Sequence, residues 1–205
     1  MNEEKKPIAR RFRGYLPVAV DLETGGFNAR TDAILEVAAI IIQMNDQGLL
    51  VPGKKMYDNV KPFEGANIEQ ASLDFTGIDP DSPLRLAVPE SEALSKIFRA
   101  IRKELRETGC QRAILVAHNS AFDLGFINKA AERNNIKRNP FHPFSSFDTA
   151  TLCGLAFGQT VLARACESAN IRFDAGEAHA ALYDCEKTAE MFCYIVNRWK
   201  KLGGI

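Results

Sequence analysis

An α/β domain whose first strands run antiparallel is predicted by three observations. Two apolar runs, residues 16–23 (LPVAVDLE) and 33–42 (AILEVAAIII), follow each other in quick succession, as an antiparallel pair does. Further on, strand-like runs alternate with segments of helical periodicity. A chain of 205 residues that is 46% hydrophobic and 25% charged buries one substantial core and is short for two, so residues 1–205 read as one domain.

The elements follow in order. Residues 1–14 form a basic N-terminal segment ahead of the first strand, and the loop TGGFNART separates that strand from the isoleucine-rich second one. KKMYDNVKP (54–62) reads as a third strand. Within 88–109, Leu94, Ile97, Phe98, Ile101 and Leu105 recur at helical spacing, and Gly109 ends the run. AILVAHNS (113–120) is a short buried strand that leads into AFDLGFINKAAERNN, of helical composition. One more strand is expected around Phe144–Phe147, then helices over 160–171 and 179–204, the last stopped by Gly203 and Gly204.

Lysine plus arginine and aspartate plus glutamate both number 26, so no overall field draws in a polyanion, and any nucleic-acid contact needs a local basic cluster. Five cysteines (Cys110, Cys153, Cys166, Cys185, Cys193) form no C-x-x-C pair, which speaks against zinc and for reduced intracellular thiols. No segment nears the roughly 18 apolar residues of a membrane span and the start lacks an apolar signal core, so a soluble cytoplasmic protein is expected.

Asp21 and Glu23 break the apolar pattern of the first strand. Two residues apart, they project from one face while Val18, Val20 and Leu22 point the other way. Carboxylates this close repel unless a cation lies between them, which makes the pair a candidate divalent-metal site; a solvated strand end is the alternative. Asp123, in AHNSAFDLGF, sits where strand turns to helix, either exposed to a cleft or simply favoured by the helix dipole. Asp184 opens the last helix. His179 precedes it by five residues, about 140° away on a regular helix, so the two face one site only if His179 lies before the helix or in its frayed first turn. A histidine on such a mobile lead-in suits a base that moves in with substrate. His118 and His142 read as structural.

D-x-E on a first strand, HNSAFD after a later strand and H-x4-D at a terminal helix together resemble the three motifs of the DEDDh exonucleases. RFRGYLPVAVDLETGGFNARTDAILEVAAI, GANIEQASLDFTGIDP, AILVAHNSAFD, KRNPFHPFSSFDTA and IVNRWKKLGG narrow the similarity to the ribonuclease T family across essentially the whole chain. The resemblance implies a ribonuclease H-like fold, a mixed sheet with antiparallel first strands flanked by helices. It also implies a homodimer that removes nucleotides singly from the 3′ ends of tRNA, rRNA and other stable RNA precursors. Two Mg²⁺ ions, with Mn²⁺ as a substitute, would be bridged by Asp21; Glu23 and Asp184 would complete the site of the nucleophile-side ion, Asp123 would hold the second, and His179 would take the water's proton.

Phenylalanine is core by default. Phe27 and Phe122, however, are tied by sequence to the acids, and Phe75 and Phe144 fall in polar, loop-like stretches. By resemblance all four match base-stacking positions. Family members can carry a glutamate four residues before the position of Phe75, where this chain has Ala71 with Glu69 nearby, so any base preference set by such a glutamate is open. The resemblance assigns phosphate binding to Arg11, Arg13, Arg112 and Lys137, rather than leaving them as a solvated face. Arg11 and Arg13 stand up to roughly 30 Å of extended chain from the acids, so the patch is expected to serve the partner's site across a two-fold dimer. Single-stranded DNA is a further candidate partner. The rival functions are a DNA-directed proofreading or repair exonuclease and a noncatalytic nucleic-acid-binding module, which would not need four acids and a histidine.

Overall fold

Tyr15–Thr24 (β1), Ile34–Met44 (β2), which is rich in β-branched residues, and Leu50–Lys61 (β3) form a continuous antiparallel meander, in a computed structural model that describes residues 6–204. Residues 1–5 of the basic N-terminal segment lie outside the described residues. Val88–Pro89 (β4), Arg112–Ala117 (β5) and Phe141–Asp148 (β6) add parallel pairings, giving one mixed sheet in the order β4-β3-β2-β1-β5-β6. This is the mixed, antiparallel-first sheet expected from the sequence.

Seven α-helices accompany it among the described residues: Pro7–Arg11 (α1), Gln70–Thr76 (α2), Glu90–Thr108 (α3), Ala121–Arg133 (α4), Thr149–Phe157 (α5), Leu162–Ser168 (α6) and Ala181–Lys201 (α7). Alternate strand residues point to opposite faces, so the ion pairs Lys55–Glu186 and Asp58–Lys96 place α7 on one face of β3 and α3 on the other. α7 packs over β1, β2 and β3, while α3 and α4 touch each other across from it. The apolar stripe Leu94, Ile97, Phe98, Ile101 and Leu105 is buried as its spacing predicts, and Gly109 adopts the left-handed φ of 71° that ends α3. The bidentate pair of Arg133 with the buried Glu90, 2.8 Å at each contact, locks α4 to α3.

Three local readings are corrected. The stretch around Phe75 is a helix, α2, rather than a loop, whereas Phe144 lies on β6, where the sequence predicts a further strand. The C-terminal helix begins at Ala181, which leaves His179 outside it. Helix α5 has no counterpart in the sequence reading. All five cysteines are buried as thiols. No helix of the described residues is long and apolar enough to cross a membrane.

Candidate active site

β1 delivers Asp21 and Glu23 to one face. Val18, Val20 and Leu22 are buried on the other, and Ala19 is buried too, so the acids stand in protein rather than at a solvated strand end. Asp184 reaches them from the first turn of α7; one carboxylate oxygen each from Asp21, Glu23 and Asp184 lie within 4.8 Å of one another. Asp123, buried on the first turn of α4, lies outside that trio but close enough that its charge bears on Asp21, and the Leu22 amide hydrogen-bonds its carboxylate.

The electrostatics follow from this crowding. Burial, then the charges of Asp123, Glu23, Asp184 and Glu36, hold the Asp21 carboxyl well above the usual range. Burial with Asp184, Glu36 and Asp123 pushes Glu23 up to about 8, and burial pushes Asp123 to about 8 against the pull of backbone amides. Asp184 is raised by burial as well, moderated by the His179 N–H that donates to its Oδ2 at 3.0 Å. Its Oδ1 is buried with no hydrogen-bond partner among the described residues. Four acids with one buried, unanswered oxygen lack positive charge, and a hard divalent cation with oxygen ligands is what such a set accommodates.

His179 is exposed, just before α7, with a left-handed φ of 65°. Its ring lies 4.1 Å from that of Phe75, centroid to centroid. Phe75 in turn lines a cavity of about 410 Å³ with Phe27, Phe122, Glu69 and Ala71, and Glu23 forms part of its wall. The apolar cleft therefore adjoins the acids directly. Phe27 is 83% exposed and tilts against Phe122 at 6.2 Å, whereas Phe122 is half-buried against Phe126. Phe144, 81% exposed on β6, is outside this cavity and packs edge-on against His142.

The basic residues gather elsewhere. Arg112 and Lys137 line a second cleft with Arg102, Arg138 and Tyr15, at the opposite end of β1, where Tyr15 pairs with Arg112. Arg11 ends α1 with its guanidinium over Phe12, and Arg13 is exposed on the following turn. His118 is engaged by Thr149 and by the Thr160 carbonyl, and His142 Nδ1 accepts from the Ser145 amide, both structural as expected.

Three acids of the site's surroundings escaped the sequence reading. Asp32, buried, accepts from the Asn28 amide, Thr31 and Asn67 and so ties down the loop that presents Phe27. A Cβ at Gly26 would stand 2.2 Å from Asp32 Oδ2, so this loop closes only over glycine. Asp148 caps α5 and also accepts from the Asn119 amide, fixing the turn that leads to Asp123. Its signal was legible as an N-cap aspartate before TATL. Glu36 faces Glu23 across the β1–β2 ladder, and its one local signal is that it interrupts the apolar run 33–42.

The RNase_T exonuclease family model matches residues 18–192, a span that holds every one of these acids. The chain belongs to the RNase_T exonuclease family. Ribonuclease T of Hahella chejuensis is 64% identical over 203 residues, 99% of this chain and 93% of that protein. Among solved structures, E. coli Exonuclease I in complex with a dT13 oligonucleotide superposes with a TM-score of 0.68 at 17% identity, covering 92% of this chain and 42% of that one. The zinc-bound form of the same enzyme with single-stranded DNA gives the same figures. This chain spans about two fifths of the length of those structures, and the likeness is one of fold. RNase_T exonucleases are divalent-metal-dependent hydrolases, and the acid cluster here is of the kind that dependence requires.

Proposed function

We propose that this 3′→5′ exoribonuclease trims the 3′ ends of tRNA, rRNA and other stable RNA precursors in the cytoplasm, releasing nucleoside 5′-monophosphates. The observation that carries the reading is the juxtaposition of the Asp21–Glu23–Asp184 trio with an aromatic cleft of about 410 Å³. When bound, two Mg²⁺ ions, or Mn²⁺ in their place, would supply an activated water and a stabilised leaving oxygen. Asp21 would be shared between the ions, Glu23 and Asp184 would complete one site and Asp123 the other. Asp123 falls outside the close-set trio while its charge is the strongest of those acting on Asp21, which supports that division.

His179 takes the proton of the attacking water on an imidazole nitrogen, and its contact with Phe75 couples its placement to occupancy of the cleft. Phe27, Phe75 and Phe122 stack on the terminal bases, which holds any sequence, while Ala71 puts a methyl group in that wall beside the Glu69 carboxylate. Phe144, outside the cleft, meets RNA further from the end. Arg11, Arg13, Arg112 and Lys137 bind backbone phosphates. Tyr15, beside Arg112, is six residues from Asp21, about 20 Å of strand, so the patch serves a partner's site in a homodimer.

Matched RNA and DNA oligonucleotides with short 3′ overhangs, digested in Mg²⁺, test the reading. RNA should shorten by one nucleotide at a time with 5′-monophosphates released, and Asp21→Asn should do nothing. Cleavage confined to DNA, or products with 3′-phosphates, overturns it. Single-stranded DNA cut alongside RNA widens the substrate range, since metal ions held by the acids would grip phosphate and not the 2′-hydroxyl.

A further inference from the structure

We infer that Glu36 is a positioning residue that fastens the first turn of α7 to the sheet and thereby sets where His179 and Asp184 stand; the inference rests on the roles proposed above for those two. Glu36 is the only polar residue in the run 33–42. In register it sits directly opposite Glu23, and its charge adds to those that raise both Glu23 and Asp21. Like charges facing each other across a ladder are destabilising, so this carboxylate works against the sheet that carries it.

What it gains is a contact made nowhere else. A helix begins with backbone amides that lack intrahelical partners. α7 opens with Ala180 as its N-cap, which has no side chain able to accept them. Ala181 is fully buried, so its amide has no recourse to water. Glu36 Oε2 accepts from that amide at 3.2 Å, from a strand 145 residues earlier in sequence. A buried amide stripped of its acceptor is costly, and a carboxylate at this end of a helix is favoured by the dipole. Tyr57 presents its hydroxyl to the same carboxylate from β3.

The clamp lies between the two catalytic groups it would govern. Two residues before Ala181, His179 holds its left-handed φ of 65° while its amide donates to Asp184 Oδ2, one turn into the helix. The lead-in is thus tied at two points, to Asp184 within the helix and, through Ala181, to β2. Releasing the second would leave His179 held by Asp184 and by its ring contact with Phe75, on a first helical turn no longer fastened to β2.

The test compares Glu36→Leu, which removes the acceptor, with Glu36→Gln, which keeps an oxygen acceptor without the charge. In Glu36→Leu, kcat should fall about 10- to 100-fold, as on loss of a contact that orients catalytic groups, with KM for a short RNA little changed. Amide exchange at Ala181 in the protein without metal or RNA should quicken in parallel. Glu36→Gln should keep most of both. Equal losses in the two variants would mean that the charge matters and not the clamp; unchanged exchange, or unchanged kcat, in Glu36→Leu overturns the inference outright. Should Glu36→Leu fail to fold, Glu36→Asp, one methylene short of Ala181, must show the same paired loss. His179→Ala assayed alongside separates the two layers: full activity there would sink the base assignment, while Ala181 exchange would still decide the clamp.

Discussion

The two ends of β1 are built on opposite principles. At the carboxyl end, Asp21 and Glu23 sit in protein, facing Asp184 and near Asp123, in a constellation whose mutual repulsion the fold must bear. At the other end, Arg112, Lys137 and Arg138 line an open cleft and stand in solvent. Burial makes the acids exacting, since carboxylates crowded within protein need a cation among them to offset their repulsion. Exposure makes the cations individually weak and replaceable, which suits a surface that holds RNA backbone without reading it.

Asp21→Asn should expose that contrast most sharply, abolishing turnover while the melting temperature of the metal-free protein holds or rises, because one source of repulsion is gone. A mutant with wild-type activity breaks the metal assignment. His179→Ala should lower kcat by about 10²- to 10⁴-fold and leave Mg²⁺ affinity by calorimetry unchanged. A collapse of that affinity would make His179 a ligand instead. Between the two ends, Phe27→Ala and Phe122→Ala should each weaken single-strand binding by about 1 to 3 kcal/mol. Only Phe122→Ala, whose ring also packs on Phe126, should lower thermal stability.

The acids also predict a pH dependence. Glu23 has its folded pKa raised from 4.5 to about 8, so the native state holds a proton that the unfolded chain has released. The associated stability is complete below the unfolded value and drains away as pH rises through the folded one. The melting temperature of the metal-free protein should therefore decline across the interval from about 4.5 to about 8, and saturating Mg²⁺ should flatten that decline. A rise with pH in the absence of metal contradicts the burial of uncompensated acids. The smallest effects belong to the far end, where Arg112→Ala and Lys137→Ala should each reduce the salt slope of RNA affinity by about one, with kcat untouched.

The acids were legible because strand and helix periodicities are local. Two residues on a strand share a face, and a five-residue gap on a helix does not, which is why His179 and Asp184 could share a site only if His179 stood before the helix or in its frayed first turn. The seven residues of α2 are too few to show a stripe, so Phe75 read as loop. α5 is hidden for a different reason: TATLCGLAF is small or apolar almost throughout and has no contrasting faces. Glu36 could not be recognised because the amide it meets lies on a helix 145 residues away, a relation that only tertiary packing creates.

That α7 closes over β1, β2 and β3 and brings Asp184 with it has a consequence for synthesis. A chain leaving the ribosome presents Asp21 and Glu23 early, but Asp184 follows 163 residues later. Until that last long helix emerges and docks, two of the carboxylates have no third to complete them and His179 does not yet exist. On the roles proposed for these groups, the nascent protein, tethered beside messenger and ribosomal RNA, would be unarmed by its own order of translation and would become a nuclease only once α7 docks.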